Sequence, residues 1–186
     1  MLYGGGSLLV FDCETTGLLK DVAARPIQLA WVILNSDGVE VMAHEALLKS
    51  VTDVPVESTA IHGITTEILE AKGVDPSPEI ERFLRDTQDV IGSKGTLVAH
   101  NSSFDIEMLR RVCADCGIPC GLRDRDVMCT MKASVSRCRL QPFRYGSYKW
   151  PKLVELADKL DLVYDHTTLH GALADTRLTA QAYLAG

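Results

Sequence analysis

Three apolar runs near the start of the chain predict β-strands. They are SLLVFDCE, PIQLAWVILN and VEVMAHEALLK, which begin at Ser7, Pro26 and Val39. The SDG that separates the second run from the third favours a tight turn between two strands. The pattern therefore predicts an antiparallel meander.

Helical spacing is prominent in the rest of the chain. TEILEAKG and SPEIERFLRDTQDVI predict helices, the second with Ser77 as its N-cap and with Ile80, Phe83 and Leu84 at helical spacing. GTLVAHN predicts a short strand that leads into the helix SFDIEMLRRVCADCG, which Gly117 ends. DRDVMCTM is a further candidate strand, KLVELADKL a short helix, and GALADTRLTAQAYLAG a closing helix. A meander followed by crossover units predicts an α/β fold with helices layered around a mixed sheet.

Composition limits the class of protein. The 186 residues are 46% hydrophobic and 24% charged, which suits one compact domain over residues 1–186. The sequence has neither a long apolar run nor a leader-like N-terminus, so we expect a soluble, intracellular, cytoplasmic protein without a membrane partner. The net charge of −6 gives no overall attraction to a polyanion. Nucleic-acid contacts would therefore need a local basic patch or metal ions.

Acidic residues stand where the predicted elements begin or end. Asp12 and Glu14 lie two positions apart at the end of the first strand, where residues i and i+2 share a face. Asp105 begins the helix after GTLVAHN, Asp175 lies early in the closing helix, and His170 precedes it by five positions. If these acids converge, they repel one another unless divalent cations neutralise them. Oxygen ligands without cysteine favour Mg²⁺ or Mn²⁺, and a pair of such ions predicts metal-assisted phosphodiester hydrolysis.

Three segments also resemble a known family. FDCETTG, VAHNSSFDIEMLRR and HGALADTRLTAQAY resemble, in order, the motifs of the DEDDh group of 3′→5′ exonucleases, which includes RNase T and the proofreading subunit of bacterial replicative polymerases. The resemblance covers nearly the whole chain. It implies an RNase H-like fold with a five-stranded mixed sheet flanked by helices. It further implies that Asp12, Glu14, Asp105 and Asp175 hold two metal ions, with Asp12 bridging both.

The same resemblance implies a general base. HGALAD has the family's spacing between histidine and aspartate, which favours His170 over His166 as the group that takes a proton from the attacking water. Histidine suits this role because its unperturbed pKa lies near neutrality. The family pattern also suggests residues that contact the terminal nucleotide or line the same groove. These candidates are Thr15, Thr16, Ile61, His62, Asn101 and Phe104.

Two further stretches leave alternatives open. Residues 137–152 hold arginines, lysines and aromatics without an acid, which suits backbone phosphates and base stacking, with Arg144 and Trp150 as candidates. The alternative is an ordinary surface loop whose aromatics cover the core. Five of the six cysteines fall between Cys113 and Cys138, so a zinc site is one interpretation of this stretch. We favour the alternative, that these cysteines are free thiols.

The leading hypothesis is a metal-dependent exonuclease that releases nucleoside monophosphates from single-stranded 3′ ends, with DNA favoured over RNA. One alternative is an exoribonuclease that trims RNA or short oligonucleotides. Another is a non-catalytic nucleic-acid-binding accessory module. A polymerase and a second copy of the chain are candidate protein partners.

Overall fold

One mixed sheet organises the fold. The computed structural model describes residues 6–141, 148–167 and 169–186. Five strands pair in the order β3-β2-β1-β4-β5. Their bounds are β1 Leu8–Thr15, β2 Pro26–Leu34, β3 Glu40–Leu47, β4 Thr96–Ala99 and β5 Val127–Cys129. The first three form the expected antiparallel meander, whereas β4 and β5 are parallel to β1, so the expected mixed sheet is confirmed.

Helices cover both faces of the sheet. They are α1 Val56–His62, α2 Thr66–Lys72, α3 Pro76–Gly92, α4 Ser102–Cys116, α5 Thr130–Ala133, α6 Val135–Cys138, α7 Leu153–Lys159 and α8 Ala172–Ala185. None of the helices within the described ranges combines the length and apolar character that a bilayer crossing requires. The predicted stop of α4 is confirmed, because Gly117 adopts φ 70° and its amide donates to the carbonyl of Ala114.

Alternation along β1 assigns its side chains to two cores. Leu9 and Phe11 pack with residues of α3 and α4, such as Phe83, on one face of the sheet. Leu8 and Val10 pack with α8 residues on the other face. Because side chains alternate along a strand, the even-numbered residues that follow also point toward α8. Both acids at the end of β1 are therefore directed to the α8 side.

Several sequence expectations were wrong in detail. Ser77 is not the N-cap of α3, because Asp75 occupies that position and accepts a 3.0 Å hydrogen bond from the Ser77 amide. The candidate strand DRDVMCTM is strand only over Val127–Cys129, with a 3₁₀ turn before it and α5 after it. Helix α1 was not predicted, since it buries no residue and so has no apolar stripe.

Candidate metal and catalytic site

The end of β1 presents two acids side by side. Asp12 pairs with Ala30 and Glu14 with Gln28 across the antiparallel β1–β2 ladder, so both lie on the same face as expected. Helix α8 is fixed above them, because the Ala172 amide donates a 3.1 Å hydrogen bond to the Gln28 side chain. This attachment brings the first turn of α8, which holds Asp175, over the strand end.

The structure brings these three acids together. Carboxylate oxygens of Asp12, Glu14 and Asp175 all lie within 4.8 Å of one another. Among the residues that the structure describes, this is the one group of three or more acid, histidine or cysteine side chains close enough to share an ion. Within the described residues no cysteine belongs to such a group, and none of the six cysteines forms a disulfide.

The fourth acid approaches through α4. Asp105 is 2% exposed, and its Oδ1 accepts a 3.1 Å hydrogen bond from the backbone amide of Cys13, the residue between the two β1 acids. Asn101 allows this approach, because its left-handed backbone (φ 63°) turns the chain from β4 directly into α4. The charge of Asp105 acts on both β1 acids and raises their pKa values.

Burial opposes ionisation of all four carboxyl groups, and the charges of neighbouring acids add to this effect at Asp12 and Glu14. Burial, followed by the charges of Asp175 and Asp105, raises the pKa of Glu14 to about 8. Burial raises the pKa of Asp105 to about 8 as well, although the Cys13 amide acts in the opposite direction. The pKa values of Asp12 and Asp175 are also raised, chiefly by burial. An anionic cluster of hard oxygen donors in a partly buried setting fits a divalent cation, which would remove the conflict.

His170 lies at the rim of this cluster. Its backbone has φ 65°, and its amide lies 3.4 Å from Oδ1 of Asp175, which fixes the turn before α8. The His170 side chain is exposed. Burial raises the pKa of Asp175, and the backbone amide of His170, followed by its side chain, partly opposes that rise. It also lies near His62, whose pKa is lowered mainly by burial and further by His170.

His62 ends α1 and connects this helix to β1. Its Nε2 donates to the carbonyl of Thr15 at 3.3 Å, and its Nδ1 accepts from the amide of Ile64 at 3.1 Å. These two contacts define a neutral tautomer with the proton on Nε2. The side chain is therefore held against the end of β1, where it borders a groove.

That groove has a volume of about 390 Å³ and adjoins the acids. It includes four of the predicted nucleotide-contacting residues, Thr15, Thr16, Ile61 and His62, of which Ile61 is 60% exposed. Its other lining residues are Glu14, Gly17, Leu18, Lys20, Asp21, Pro55, Glu57 and Ser58. Gly17, Leu18, Lys20 and Asp21 were not predicted as lining residues, because the exposed connection that holds them carries no periodic signal.

Other candidates lie elsewhere. Asn101 and Phe104 are half-buried around the start of α4 and are not lining residues of this groove. Trp150 is 60% exposed, and the next residue, Pro151, accepts a 3.1 Å hydrogen bond from Nε2 of His100 at the end of β4. Arg144 lies outside the described residues. The stretch 137–152 is not entirely a loop, because its first residues belong to α6.

Known proteins are similar to this chain in sequence and in architecture. A family model described as exonuclease matches residues 9–183. A DNA polymerase III subunit epsilon-like protein of Rhodobacter capsulatus is 31% identical over 179 residues, which are 96% of this chain and 23% of that protein. A solved structure of exonuclease I superposes with a TM-score of 0.78 at 19% identity, over 97% of this chain and 40% of that one.

A second solved structure extends the comparison. Exonuclease I of E. coli in complex with a dA16 oligonucleotide gives a TM-score of 0.75 at 19% identity, over 95% of this chain and 39% of that one. These likenesses confirm the RNase H-like fold that the sequence motifs implied. The chain spans about a quarter of the epsilon-like relative and about two fifths of exonuclease I.

Proposed function

The chain belongs to the exonuclease family, and on that basis we propose that it removes nucleoside monophosphates from the 3′ end of single-stranded nucleic acid, with DNA as the favoured substrate. The observation that carries this proposal is the convergence of Asp12, Glu14 and Asp175 within 4.8 Å beside a groove large enough for a nucleotide. Such a group is suited to phosphodiester hydrolysis, in which charge develops on oxygen.

Asp12, Glu14, Asp105 and Asp175 would hold two Mg²⁺ or Mn²⁺ ions. Asp105 would complete the set from α4, while the Cys13 amide keeps its second oxygen oriented. When bound, such ions activate water and stabilise the attacking and leaving oxygens. Because the three acids that lie within reach of one another offer only carboxylate oxygens, hard cations fit this group better than soft ones.

His170 would serve as the general base. Its side chain is exposed and lies near enough to Asp175 and His62 to interact electrostatically with both. An imidazole nitrogen there would accept the proton that the attacking water loses. His62 is less suited to that role, because both of its ring nitrogens are already engaged by backbone groups.

The groove beside Glu14 would hold the terminal nucleotide. Thr15 and Thr16 form its inner end, and the exposed Ile61 offers an apolar surface for a sugar or base. Trp150 would contact bases further along the strand. DNA is favoured because E. coli exonuclease I of the same fold is known bound to dA16, and the epsilon-like relative points to a polymerase as a candidate partner.

A nuclease assay tests the proposal. The protein would be incubated with 5′-labelled DNA and RNA oligonucleotides and Mg²⁺, and we expect stepwise shortening from the 3′ end, faster on DNA. Asp12→Asn should abolish the shortening, whereas the matched control Asp89→Asn, at an exposed position of α3, should not. Faster shortening of RNA would favour the exoribonuclease alternative. An inactive wild-type protein that still binds the oligonucleotides would favour the accessory module.

A further inference from the structure

The connection between β1 and β2, residues 16–25, forms one wall of the groove. Gly17, Leu18, Lys20 and Asp21 all line it. The larger apolar side chains of this connection give it little anchorage, since Leu18 is 61% exposed and Val22 is 82% exposed, and its buried apolar residue is the small Ala24. Its shape must therefore be fixed mainly by polar contacts.

A single guanidinium group supplies most of the contacts that hold the connection against α4. Nη1 of Arg111 donates to the carbonyl of Asp21 at 2.7 Å and to that of Ala24 at 3.2 Å, and Nη2 donates to the carbonyl of Leu19 at 2.9 Å. The side chain of Arg111 is only 14% exposed. Charge-assisted hydrogen bonds of this kind are stronger than those between neutral groups.

Arg111 and a metal-site acid belong to the same helix. Asp105 lies in the first turn of α4, and Arg111 follows on the next turns. A helix is rigid over this length, so α4 links the acid cluster and the groove wall mechanically. A second link lies nearby, because Arg25 pairs with Asp115 of α4 at 2.5 Å and also donates to the carbonyls of Val22 and Ala24.

We propose that Arg111 is a positioning residue for the terminal nucleotide: it holds residues 17–24 in place as the groove wall, in register with the metal-site acid on the same helix. The inference rests on the proposed function, because it assigns the groove to the 3′-terminal nucleotide. Arg111 does not contact the reacting atoms. Its loss should therefore weaken nucleotide binding more than it slows the chemical step.

Arg111→Met tests this, since it keeps the apolar stem and removes every donor. We expect KM for a DNA oligonucleotide and the inhibition constant of a nucleoside 5′-monophosphate to rise about tenfold, with kcat changed less than about threefold. Arg111→Lys should rescue only part of the binding, because one ammonium group cannot reproduce the guanidinium fork. Arg110→Met is the matched control, because Arg110 contacts Leu122 and Asp124, away from the groove.

A second measurement does not depend on activity. Lys20 is exposed within the wall, so trypsin should cleave after it faster in Arg111→Met than in the wild type or Arg110→Met, at unchanged melting temperature. If Arg111→Met fails to fold, Asp115→Asn weakens the neighbouring attachment and should change KM in the same direction. An active wild type whose KM and cleavage at Lys20 are insensitive to Arg111→Met overturns the inference alone. A wild-type protein without exonuclease activity would overturn the proposed function, and with it the role assigned to Arg111.

Discussion

The amide of Cys13 donates a 3.1 Å hydrogen bond to Oδ1 of Asp105, a residue 92 positions later in the chain. This contact joins the central strand β1 to the start of α4, at the end of the strand that holds Asp12 and Glu14. It holds an acid from a separate motif near the three clustered acids, although Asp105 is not part of the group whose oxygens all lie within 4.8 Å of one another. It also satisfies a buried backbone donor, so Asp105 has a structural task in addition to its proposed role as a metal ligand.

Asp105→Asn and Asp105→Ala should separate these two tasks. Asparagine keeps an oxygen that can accept from Cys13 but cannot ionise to bind a cation, so we expect metal-free stability to be retained while activity falls at least about a hundredfold. Alanine leaves the amide unpaired and should lower the free energy of unfolding by about 1–3 kcal/mol. Urea denaturation in EDTA measures this difference. Equal free energies of unfolding for the two variants would mean that the hydrogen bond between Cys13 and Asp105 does not stabilise the protein.

Metal-free stability should fall as pH rises. The pKa of Glu14 is raised to about 8 in the folded protein, from an unfolded value near 4.5, so its contribution is fully present below the unfolded value and is lost as pH increases through about 8. Glu14→Gln removes this dependence. At about 1.4 kcal/mol per pKa unit, we expect it to stabilise the EDTA-treated protein by about 2–4 kcal/mol at pH 8 and little at pH 5. A pH-independent difference between the two proteins would contradict the account.

His170→Gln should lower kcat about 10²- to 10⁴-fold, the usual contribution of a general base, while Mn²⁺ affinity stays nearly unchanged. The backbone amide that contacts Asp175 remains in this variant. His166→Gln serves as the matched control, because His166 is exposed and four residues earlier in the same segment. Steady-state kinetics on a short DNA oligonucleotide distinguish them, and similar losses in both variants would remove His170 from the proposed role.

Trp150→Ala should raise KM for long oligonucleotides more than for dinucleotides. The side chain is 60% exposed beside the segment that His100 ties to the end of β4, so it is available to stack on a base beyond the terminal nucleotide. We expect about a tenfold effect on a long strand, corresponding to the loss of one stacked base. Equal effects on both substrates, together with a lower melting temperature, would assign Trp150 a packing role.

Much of the site could be predicted because its signals are local in sequence. Asp12 and Glu14 follow the period of a strand, and Asp105 and Asp175 each occupy the first turn of a helix. The meander and the closing helix follow from apolar periodicity in the same way. The mixed sheet could be expected because strands that alternate with helices are usually parallel neighbours in a sheet, whereas strands joined by tight turns are antiparallel.

Other features depend on contacts that leave no local pattern. Arg111 binds three backbone carbonyls of a connection some 90 positions earlier, and carbonyls are the same for every residue type. Helix α1 borders the groove through Ile61 and His62 yet buries no side chain, so it has no apolar stripe to reveal it. Ser77 resembles an N-cap, but Asp75 before Pro76 is a better acceptor at the start of α3.

The most direct test of the central claim is a calorimetric titration of Mn²⁺ at pH 8 in the presence of a nucleoside 5′-monophosphate, with wild type and Asp12→Asn compared. If the four acids converge on a pair of cations, the wild type should bind two ions and Asp12→Asn should bind fewer or bind them much more weakly. A wild-type protein that binds no ion, or a stoichiometry and affinity unaffected by Asp12→Asn, would contradict the account.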